Sequence, residues 1–194
     1  MDLYTFGQKA CGTVLRTLYK PKIIGAENIP ETGSVLLCCN HIHNFDPPLL
    51  GSFIDRKIHY MAKAELFNIP LLKTVLPKVG AFPVKRGMSD KQAMRMALSI
   101  LKEGNVLGLF PEGTRSKTGE LGKGLTGAGF FALRTDAVVI PSAIIGPYKT
   151  FHPLKVVYGA PLDFTEMRAD KKSAEEATAY IMDGIRSLIE QHTS

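Results

Sequence analysis

The chain has 194 residues, of which 45% are hydrophobic, so its length fits one domain with a complete core. It carries 24 lysine and arginine residues against 18 aspartate and glutamate residues, a net charge of +6. Such an excess suits an anionic partner: phospholipid headgroups, a phosphorylated substrate, an acidic acyl carrier or nucleic acid. The basic residues are scattered, with no RNP-like aromatic motif, zinc-ligand spacing or base-reading helix, so nucleic acid is not expected as a partner.

The sequence predicts neither a leader nor a membrane-spanning segment. Three cysteines, an odd number without framework spacing, and a start unlike a signal peptide predict a reducing, cytoplasmic setting. No apolar stretch approaches the roughly 20 residues that span a bilayer. We therefore expect no transmembrane helix.

The first segment, residues 1–20, has apolar side chains near helical spacing, with Lys9, Arg16 and Lys20 between them. This pattern predicts an amphipathic helix, for which two interpretations stay open. The helix either lies at a membrane interface, with its cationic residues at headgroup level, or packs on its own domain.

Strand and helix signals alternate along the rest of the chain. Apolar runs predict strands at 21–25, 34–39, 57–62, 80–84, 106–110, 138–144 and 155–158. Helical periodicity predicts helices at 47–54, 89–102, 123–134 and 174–190, and a helical stretch broken by Pro70 and Pro77. The alternation predicts an α/β fold: a single domain with a mixed, largely parallel sheet flanked by helices. Sites in such sheets lie beyond the carboxyl ends of strands.

The run Asn40-His-Ile-His-Asn-Phe-Asp-Pro-Pro48 follows one of these strands. His41 and Asp46 are five residues apart, a separation that turns two side chains away from each other on a regular helix. Pro47 disfavours helical conformation at Asp46 and is suited to open a helix. Asp46 is therefore predicted to be a helix N-cap, with the preceding chain curling back to bring His41 within reach. A histidine that deprotonates an alcohol needs a partner for its second nitrogen, so the pair is predicted to be a base and its orienter.

A second run, Val106-Leu-Gly-Leu-Phe-Pro-Glu-Gly-Thr-Arg-Ser116, is an apolar strand that leads into a polar turn. With Gly80-Ala-Phe-Pro-Val-Lys-Arg-Gly87 and Val139-Ile-Pro-Ser-Ala-Ile144, the chain has four blocks in a fixed order. They resemble the glycerolipid acyltransferase family, whose patterns are N-H-x4-D, G-x-F-x-x-x-R, F-P-E-G-T-R-S and V-I-P. The first and third blocks match at every defining position, and the second and fourth match more loosely.

The resemblance implies transfer of a fatty acyl group from a thioester, acyl-CoA or acyl carrier protein, to the sn-2 hydroxyl of 1-acylglycerol 3-phosphate (lysophosphatidic acid). The product would be phosphatidic acid, in phospholipid biosynthesis. Neither cofactor nor metal is expected. The enzyme would be peripheral, on the cytoplasmic face of an anionic membrane surface, with residues 21–194 as the acyltransferase domain.

Three alternatives stay open at this point. The first is a glycerol-3-phosphate sn-1 acyltransferase of the same family, although the short chain and the F-P-E-G-T-R-S block favour the lysophosphatidate acceptor. The second is an acyl thioesterase, in which His41 would activate water. The third is a lipid-binding module without catalytic activity, in which His41 and Asp46 would have no chemical purpose.

Anchoring the acceptor phosphate calls for cations. Arg115 and Arg86 are the first candidates, because a guanidinium fork matches two phosphate oxygens at once, and Lys85 and Lys123 are the next. The resemblance likewise places acceptor binding in the second and third blocks. The structural alternative is that Arg115 forms an ion pair with Glu112. Arg115 fills both roles at once if Glu112 orients the arginine or binds the glycerol.

Small residues of the third block complete the predicted substrate-binding set. Gly113 either donates its backbone N–H to the thioester oxyanion or permits a tight turn, and Thr114 is a small donor in the same turn. The resemblance assigns the base to His41, because His43 lacks the x4 spacing to Asp46. His43 is nevertheless close enough in sequence to compete for the carboxylate.

Other patterns point to different chemistry. Gly122-Lys-Gly-Leu-Thr-Gly127 satisfies G-x-G-x-x-G, but no strand leads into it and no suitable acid follows about twenty residues later. Cys39 is either a nucleophile for His41 or, like Cys38, a small apolar residue in a buried strand. The sequence has no G-x-S-x-G elbow, which disfavours a serine hydrolase.

Overall fold

The structure, a computed structural model, describes residues 3–85, 90–150, 152 and 154–193. The strands of these residues form one seven-stranded sheet: β1 Lys22–Ile24, β2 Val35–Cys39, β3 Ile58–Lys63, β4 Ala81–Val84, β5 Val106–Leu109, β6 Val138–Ile145 and β7 Lys155–Tyr158. Their α-helices are α1 Leu3–Tyr19, α2 Asp46–Gly51, α3 Pro70–Lys78, α4 Lys91–Lys102, α5 Gly127–Arg134, α6 Thr165–Ala169 and α7 Ala174–His192. Two 3₁₀ turns precede β2 and α3, at Ala26–Asn28 and Ala64–Asn68.

The strand order β1-β7-β6-β2-β5-β3-β4 places β2 at the middle of the sheet. Neighbouring strands run parallel except for β6 and β7, which pair antiparallel. This confirms the predicted α/β domain with a mixed, largely parallel sheet. Strands β2 to β6 therefore all end at one side of the sheet, which we call the carboxyl edge. Crevices at such an edge are where open α/β sheets hold their ligands.

Both faces of β2 are buried, as its unbroken apolar run predicts. Leu36 and Cys38 belong to a core that α4, α5 and α7 complete on one face of the sheet. Leu37 and Cys39 belong to a second core, completed by α1 and α2 on the other face. One layer of helices thus covers each face, and the end of β2 lies between them.

Helix α1 confirms the predicted N-terminal helix and packs on the domain along one of its faces. Gln8 Nε2 donates to the carbonyls of Gly51 and Ile54, at 2.9 and 2.7 Å, and Leu15 and Tyr19 are buried. The other face exposes three large apolar side chains to solvent, Leu3, Phe6 and Val14. None of the described helices has both the length and the apolarity that crossing a bilayer demands.

Prolines and glycines account for the differences from the predicted elements. Pro70 is the first residue of α3 and Pro77 lies in its last turn, so the prolines bound this helix instead of breaking it. Helix α5 begins at Gly127 rather than at 123, because the glycine-rich chain before it has low helix propensity. Lys123 therefore lies in a loop. Ser89, the predicted start of α4, lies outside the described residues, and α6 has no predicted counterpart.

Candidate active site

The first and third sequence blocks meet at the carboxyl edge, where β2 and β5 are neighbouring parallel strands. His41 follows β2, and Glu112 follows β5. The backbone amide of His41 donates to Glu112 Oε1 at 2.8 Å, and the amide of Ser116 donates to the His41 carbonyl at 2.7 Å. The third block is thus hydrogen-bonded to both sides of the His41 main chain.

The side chain of His41 contacts Asp46, as predicted, with Nδ1 2.7 Å from Oδ2. The Asp46 side chain is fully buried, and the same oxygen accepts the backbone amides of Ile42 and His43, each at 2.7 Å. The loop therefore curls around the carboxylate. When Nδ1–H donates to Asp46, the neutral imidazole keeps its lone pair on Nε2.

The predicted capping role of Asp46 is wrong. Helix α2 begins at Asp46 itself, its N-cap is Phe45, and no side chain caps it. An N-cap at Asp46 would accept the amides two and three residues later, but Pro48 has no N–H and the amide of Leu49 donates to the Phe45 carbonyl at 2.8 Å. The carboxylate instead turns back towards the loop, where three donors converge on one oxygen.

Tyr148 is a residue of the site that the sequence analysis missed. Its hydroxyl donates to Asp46 Oδ1 at 2.6 Å, so four donors hold this carboxylate. Burial, followed by the negative charge of Asp46, raises the pKa of Tyr148, which keeps the phenol protonated as a donor. Tyr148 lies beyond β6, 102 residues from Asp46, and no motif or spacing links the two positions.

The imidazole of His41 is held from two directions. Its ring stacks on Phe110, with centroids 4.2 Å apart and planes 22° from parallel, and its side chain is 13% exposed. Among the described residues, Nε2 has no hydrogen-bond partner. The ring is therefore fixed through Nδ1 and its face, and Nε2 is the nitrogen left for a substrate.

His43 does not compete for the carboxylate with its ring. The His43 ring stacks on Tyr148, with centroids 4.2 Å apart, and its Nδ1 accepts the amide of Phe45 at 3.3 Å. Only the backbone amide of His43 reaches Asp46. The geometry therefore agrees with the assignment of the base to His41.

The Glu112 carboxylate joins three segments of the chain through backbone amides. The side chain is nearly buried; Oε1 accepts from His41, and Oε2 accepts from Gly122 at 2.9 Å. The ion pairs of the described residues do not include one between Glu112 and Arg115. Both oxygens of Glu112 thus hold the loops in place, which favours a positioning role over contact with the glycerol.

Gly113 forms the tight turn that was one of its two predicted roles. Its φ is +68°, and its N–H donates to the Phe110 carbonyl at 2.9 Å. A Cβ at this position would lie 2.4 Å from Leu125 Cδ1. Because the amide is already bonded within the turn, this geometry does not favour Gly113 as the oxyanion donor.

The candidate phosphate ligands lie around this turn, which follows β5, and at the end of β4, two strands away in the sheet. Thr114, Arg115 and Lys123 are exposed, and the loop with Lys123 is held over the turn, because the Leu125 amide donates to the Pro111 carbonyl at 2.8 Å. Lys85 is also exposed and follows β4, with its amide bonded to Asp90 Oδ2 at 2.9 Å. Arg86 lies outside the described residues.

Exposed apolar side chains flank the same site. Leu125, which lies over Gly113, is 61% exposed, and Phe45, whose ring centroid is 5.2 Å from that of His43, is 45% exposed. An apolar ligand or a lipid surface would contact both. Both occupy variable positions of the patterns quoted above, N-H-x4-D and G-x-G-x-x-G, so the motifs did not single them out.

The two buried cysteines do not form a nucleophilic site. Cys38 and Cys39 are fully buried in β2, and the Cys39 thiol lies against Asn40 Oδ1 at 3.5 Å. Burial, with a smaller contribution from the charge of Asp46, raises the pKa of Cys39 well above its ordinary value. A thiol that stays protonated is a poor nucleophile, so the structure favours the apolar interpretation.

These groups define a class of protein. A histidine base oriented by a buried carboxylate lies at the carboxyl edge of an α/β sheet, beside exposed cations and apolar side chains. Such a base removes the proton of a hydroxyl as that hydroxyl attacks an electrophile. The site is thus typical of an enzyme that transfers a group to an alcohol.

Comparison with known proteins identifies the family. The sequence profile of the family described as Acyltransferase matches residues 20–145, and the chain belongs to this acyltransferase family. The 1-acyl-sn-glycerol-3-phosphate acyltransferase of Bacillus subtilis is 31% identical over 181 residues, covering 89% of this chain and 90% of that protein. The protein of the same name from Borreliella burgdorferi is 33% identical over 137 residues, covering 69% of this chain and 55% of that protein.

A solved structure has the same fold. The crystal structure of the 1-acyl-sn-glycerophosphate (LPA) acyltransferase PlsC from Thermotoga maritima matches with a TM-score of 0.76 and 24% identity. The match covers 98% of this chain and 79% of that chain. The family profile and the two named relatives, together with this shared fold, show that the chain is an O-acyltransferase of the family that its motifs resemble.

Proposed function

We propose that this enzyme acylates the sn-2 hydroxyl of 1-acylglycerol 3-phosphate, giving phosphatidic acid. One observation carries the proposal: the His41 imidazole is held through Nδ1 by a buried carboxylate, while Nε2 has no partner among the described residues. The names of the Bacillus and Borreliella relatives support this acceptor. The exposed arginine and lysines beside the site suit its phosphate, and the exposed Phe45 and Leu125 suit its acyl chain.

The proposed reaction is direct transfer between two bound substrates. His41 Nε2 accepts the hydroxyl proton of the acceptor as the oxygen attacks the thioester carbonyl. The tetrahedral intermediate then collapses, the C–S bond breaks, and the imidazolium returns its proton to the departing thiolate. Asp46 stabilises the imidazolium and holds the tautomer, which a base of this kind requires.

A product assay tests this function and identifies the donor. Purified enzyme is given lysophosphatidic acid with palmitoyl-CoA or palmitoyl-acyl carrier protein, and phosphatidic acid is quantified. We expect phosphatidic acid with at least one of the two donors. Glycerol 3-phosphate serves as a second acceptor, and thioester hydrolysis without acceptor is measured alongside. The absence of phosphatidic acid with both donors would refute the proposal.

Arg115 is proposed to bind the acceptor phosphate. The residue is exposed, and the next residue, Ser116, donates its backbone amide to the His41 carbonyl, so the backbone of Arg115 lies close to that of His41. A charge-assisted hydrogen bond contributes about 1.5–3 kcal/mol. We therefore expect Arg115→Ala to raise the KM for lysophosphatidic acid roughly ten-fold or more, with little change in the KM for the donor.

Two variants control this measurement. Arg115→Lys keeps the charge but loses the fork, and should give an intermediate KM. Lys117→Ala removes an exposed cation two residues further along the same loop and should leave both constants unchanged. Equal increases in the acceptor and donor KM of Arg115→Ala would indicate a general structural role instead.

We further propose that the enzyme is peripheral to an anionic membrane surface, with α1 at the interface and residues 21–194 as the acyltransferase domain. The exposed face of α1 supports this proposal, because Leu3, Phe6 and Val14 are between 43% and 56% exposed. Lys9 and Lys20 are exposed on the same helix and just beyond its end. Apolar side chains with flanking cations are typical of helices that lie in a bilayer interface.

Point substitutions test the α1 proposal better than a deletion, because removing α1 would also uncover the core around Leu15 and Tyr19. The triple variant Leu3→Ser/Phe6→Ser/Val14→Ser changes only exposed positions. We expect it to sediment with phosphatidylglycerol-containing vesicles at least roughly ten-fold less tightly, because each apolar side chain contributes on the order of 1 kcal/mol. Unchanged sedimentation would rule out α1 as the contact.

A further inference from the structure

The apolar residues between the end of β3 and the start of β4 belong to neither of the two cores. None of the side chains of residues 63–79, which we call the α3 segment, is buried. Leu66 is 37% exposed, Ile69 46% and Leu71 74%. By contrast, α4, α5 and α7 each bury a set of side chains in the core. The α3 segment therefore presents three large apolar side chains to solvent, while its other large apolar residues are half-buried.

The composition of the α3 segment makes this exposure costly. Its large apolar residues are the exposed Leu66, Ile69 and Leu71 and the half-buried Phe67, Leu72, Val75, Leu76 and Val79. Helix α3 has nine residues, and helices of that length are marginal in water without apolar packing. An apolar environment outside the domain would stabilise this helix.

The charge of the α3 segment indicates which apolar environment it would bind. It contains three lysines, Lys63, Lys73 and Lys78, and one acid, Glu65, so its net charge is +2. Glu65 Oε1 lies 3.4 Å from Lys63 Nζ, within ion-pair distance. Lys73 and Lys78 belong to no ion pair of the described residues. Apolar tips with lysines between them complement an anionic bilayer, where lysine stems lie along acyl chains and ammonium groups reach phosphates.

The position of the α3 segment places it beside the active site. It leaves β3 at the carboxyl edge, and β3 is the neighbour of β5, which leads to Glu112. The β2–α2–β3 and β3–α3–β4 connections cross the sheet in the same direction, and parallel crossovers are right-handed. Helices α2 and α3 therefore lie on the same face, and α1 packs on α2. The exposed apolar residues of α1 and of the α3 segment thus occupy one side of the molecule.

We propose that the α3 segment is a second membrane-contacting element, which binds an anionic phospholipid surface and holds the carboxyl edge against it. The choice of a lipid surface rests on the proposed function. Leu66, Ile69 and Leu71 enter the interface, and Lys73 and Lys78 contact lipid phosphates. A lipid acceptor then reaches His41 without leaving the membrane.

Vesicle sedimentation tests the contact directly. The variant Ile69→Glu/Leu71→Glu places charge at two exposed positions, and Met96→Glu on α4, a residue 48% exposed on the opposite face of the sheet, is the matched control. With vesicles of phosphatidylcholine and phosphatidylglycerol, we expect the double variant to bind at least roughly ten-fold less tightly and the control to bind as wild type. Lys73→Ala/Lys78→Ala should weaken binding to these vesicles but not to vesicles of phosphatidylcholine alone.

Activity assays separate this proposal from the proposed function. The double variant should lose roughly ten-fold or more of its activity on lysophosphatidic acid presented in vesicles. It should keep wild-type activity on a short-chain lysophosphatidic acid dispersed as monomers, because the catalytic groups are untouched. If wild type acylates neither acceptor, the proposed function fails, while sedimentation still reports on the α3 segment. Ile69→Ser/Leu71→Ser repeats the test with a milder change, and thermal unfolding verifies that each variant is folded.

Three results would overturn the proposal. Unchanged vesicle binding by both Ile69→Glu/Leu71→Glu and Ile69→Ser/Leu71→Ser would show that the α3 segment does not contact lipid. A change in oligomeric state on gel filtration, with vesicle binding intact, would assign the surface to contacts between copies of the chain. A raised KM for the monomeric short-chain substrate, again with vesicle binding intact, would assign it to a bound acyl chain.

Discussion

Replacing His41 by alanine is expected to lower kcat roughly 10²–10⁴-fold, the contribution of a positioned general base. No other imidazole of the described residues contacts Asp46 through its ring, so none replaces it. The variant should remain folded, because Asp46 keeps its contacts with Ile42, His43 and Tyr148. The measurements are kcat at saturating donor and acceptor, and the midpoint of thermal unfolding.

His43→Ala is the matched control for this experiment. The His43 ring lies between Tyr148 and Phe45 and does not touch the carboxylate, so we expect its removal to change kcat no more than a few-fold. A folded His41→Ala variant of near-normal rate would contradict the assignment of the base. A larger loss at position 43 than at position 41 would transfer the role to His43.

Asp46→Asn is expected to lower kcat by roughly 10² or more, with the KM values nearly unchanged. The substitution keeps the shape of the side chain but removes the negative charge that stabilises the imidazolium of His41 at 2.7 Å. An amide also offers one oxygen where the carboxylate offers two, whereas His41, Ile42, His43 and Tyr148 all donate to this group. Steady-state kinetics under saturating conditions measure the effect.

Two further variants separate charge from hydrogen bonding. Tyr148→Phe removes one of the four donors and keeps the ring that stacks on His43, so we expect at most a ten-fold or so loss of kcat. Asp46→Ala leaves buried donors unpaired, each at a cost of about 1–3 kcal/mol, and should lower the free energy of unfolding as well as kcat. A rate for Asp46→Asn close to wild type would show that the carboxylate is structural.

Local patterns were sufficient to predict the central strands and the loop that carries the base. An unbroken apolar run predicted the buried strand β2, and the run before Phe110 predicted β5. The five-residue separation of His41 and Asp46, together with Pro47, predicted a loop that curls back. The distance of 2.7 Å between His41 Nδ1 and Asp46 Oδ2 confirms this loop. These predictions succeed because strand burial and short loop closure depend on neighbours in sequence.

Local sequence patterns did not predict the contacts between distant segments. Tyr148 reaches Asp46 because β6 pairs with β2 in the sheet, and only the strand order reveals that neighbourhood. The two oxygens of Glu112 join His41 and Gly122, which the three-residue spacing to Arg115 did not suggest. The capping prediction failed for a related reason: donors in the preceding loop bind the Asp46 carboxylate, while Pro48 has no N–H to offer.

His41 is tied to the loop after β5 through both of its backbone polar groups, because its N–H donates to Glu112 and its carbonyl accepts from Ser116. The loop that would grip the headgroup and the ring that would remove the proton therefore shift together. Since catalysis depends steeply on the alignment of reacting atoms, a poorly seated headgroup would leave the ring out of line. Selectivity among acceptors would then appear in kcat as well as in the acceptor KM.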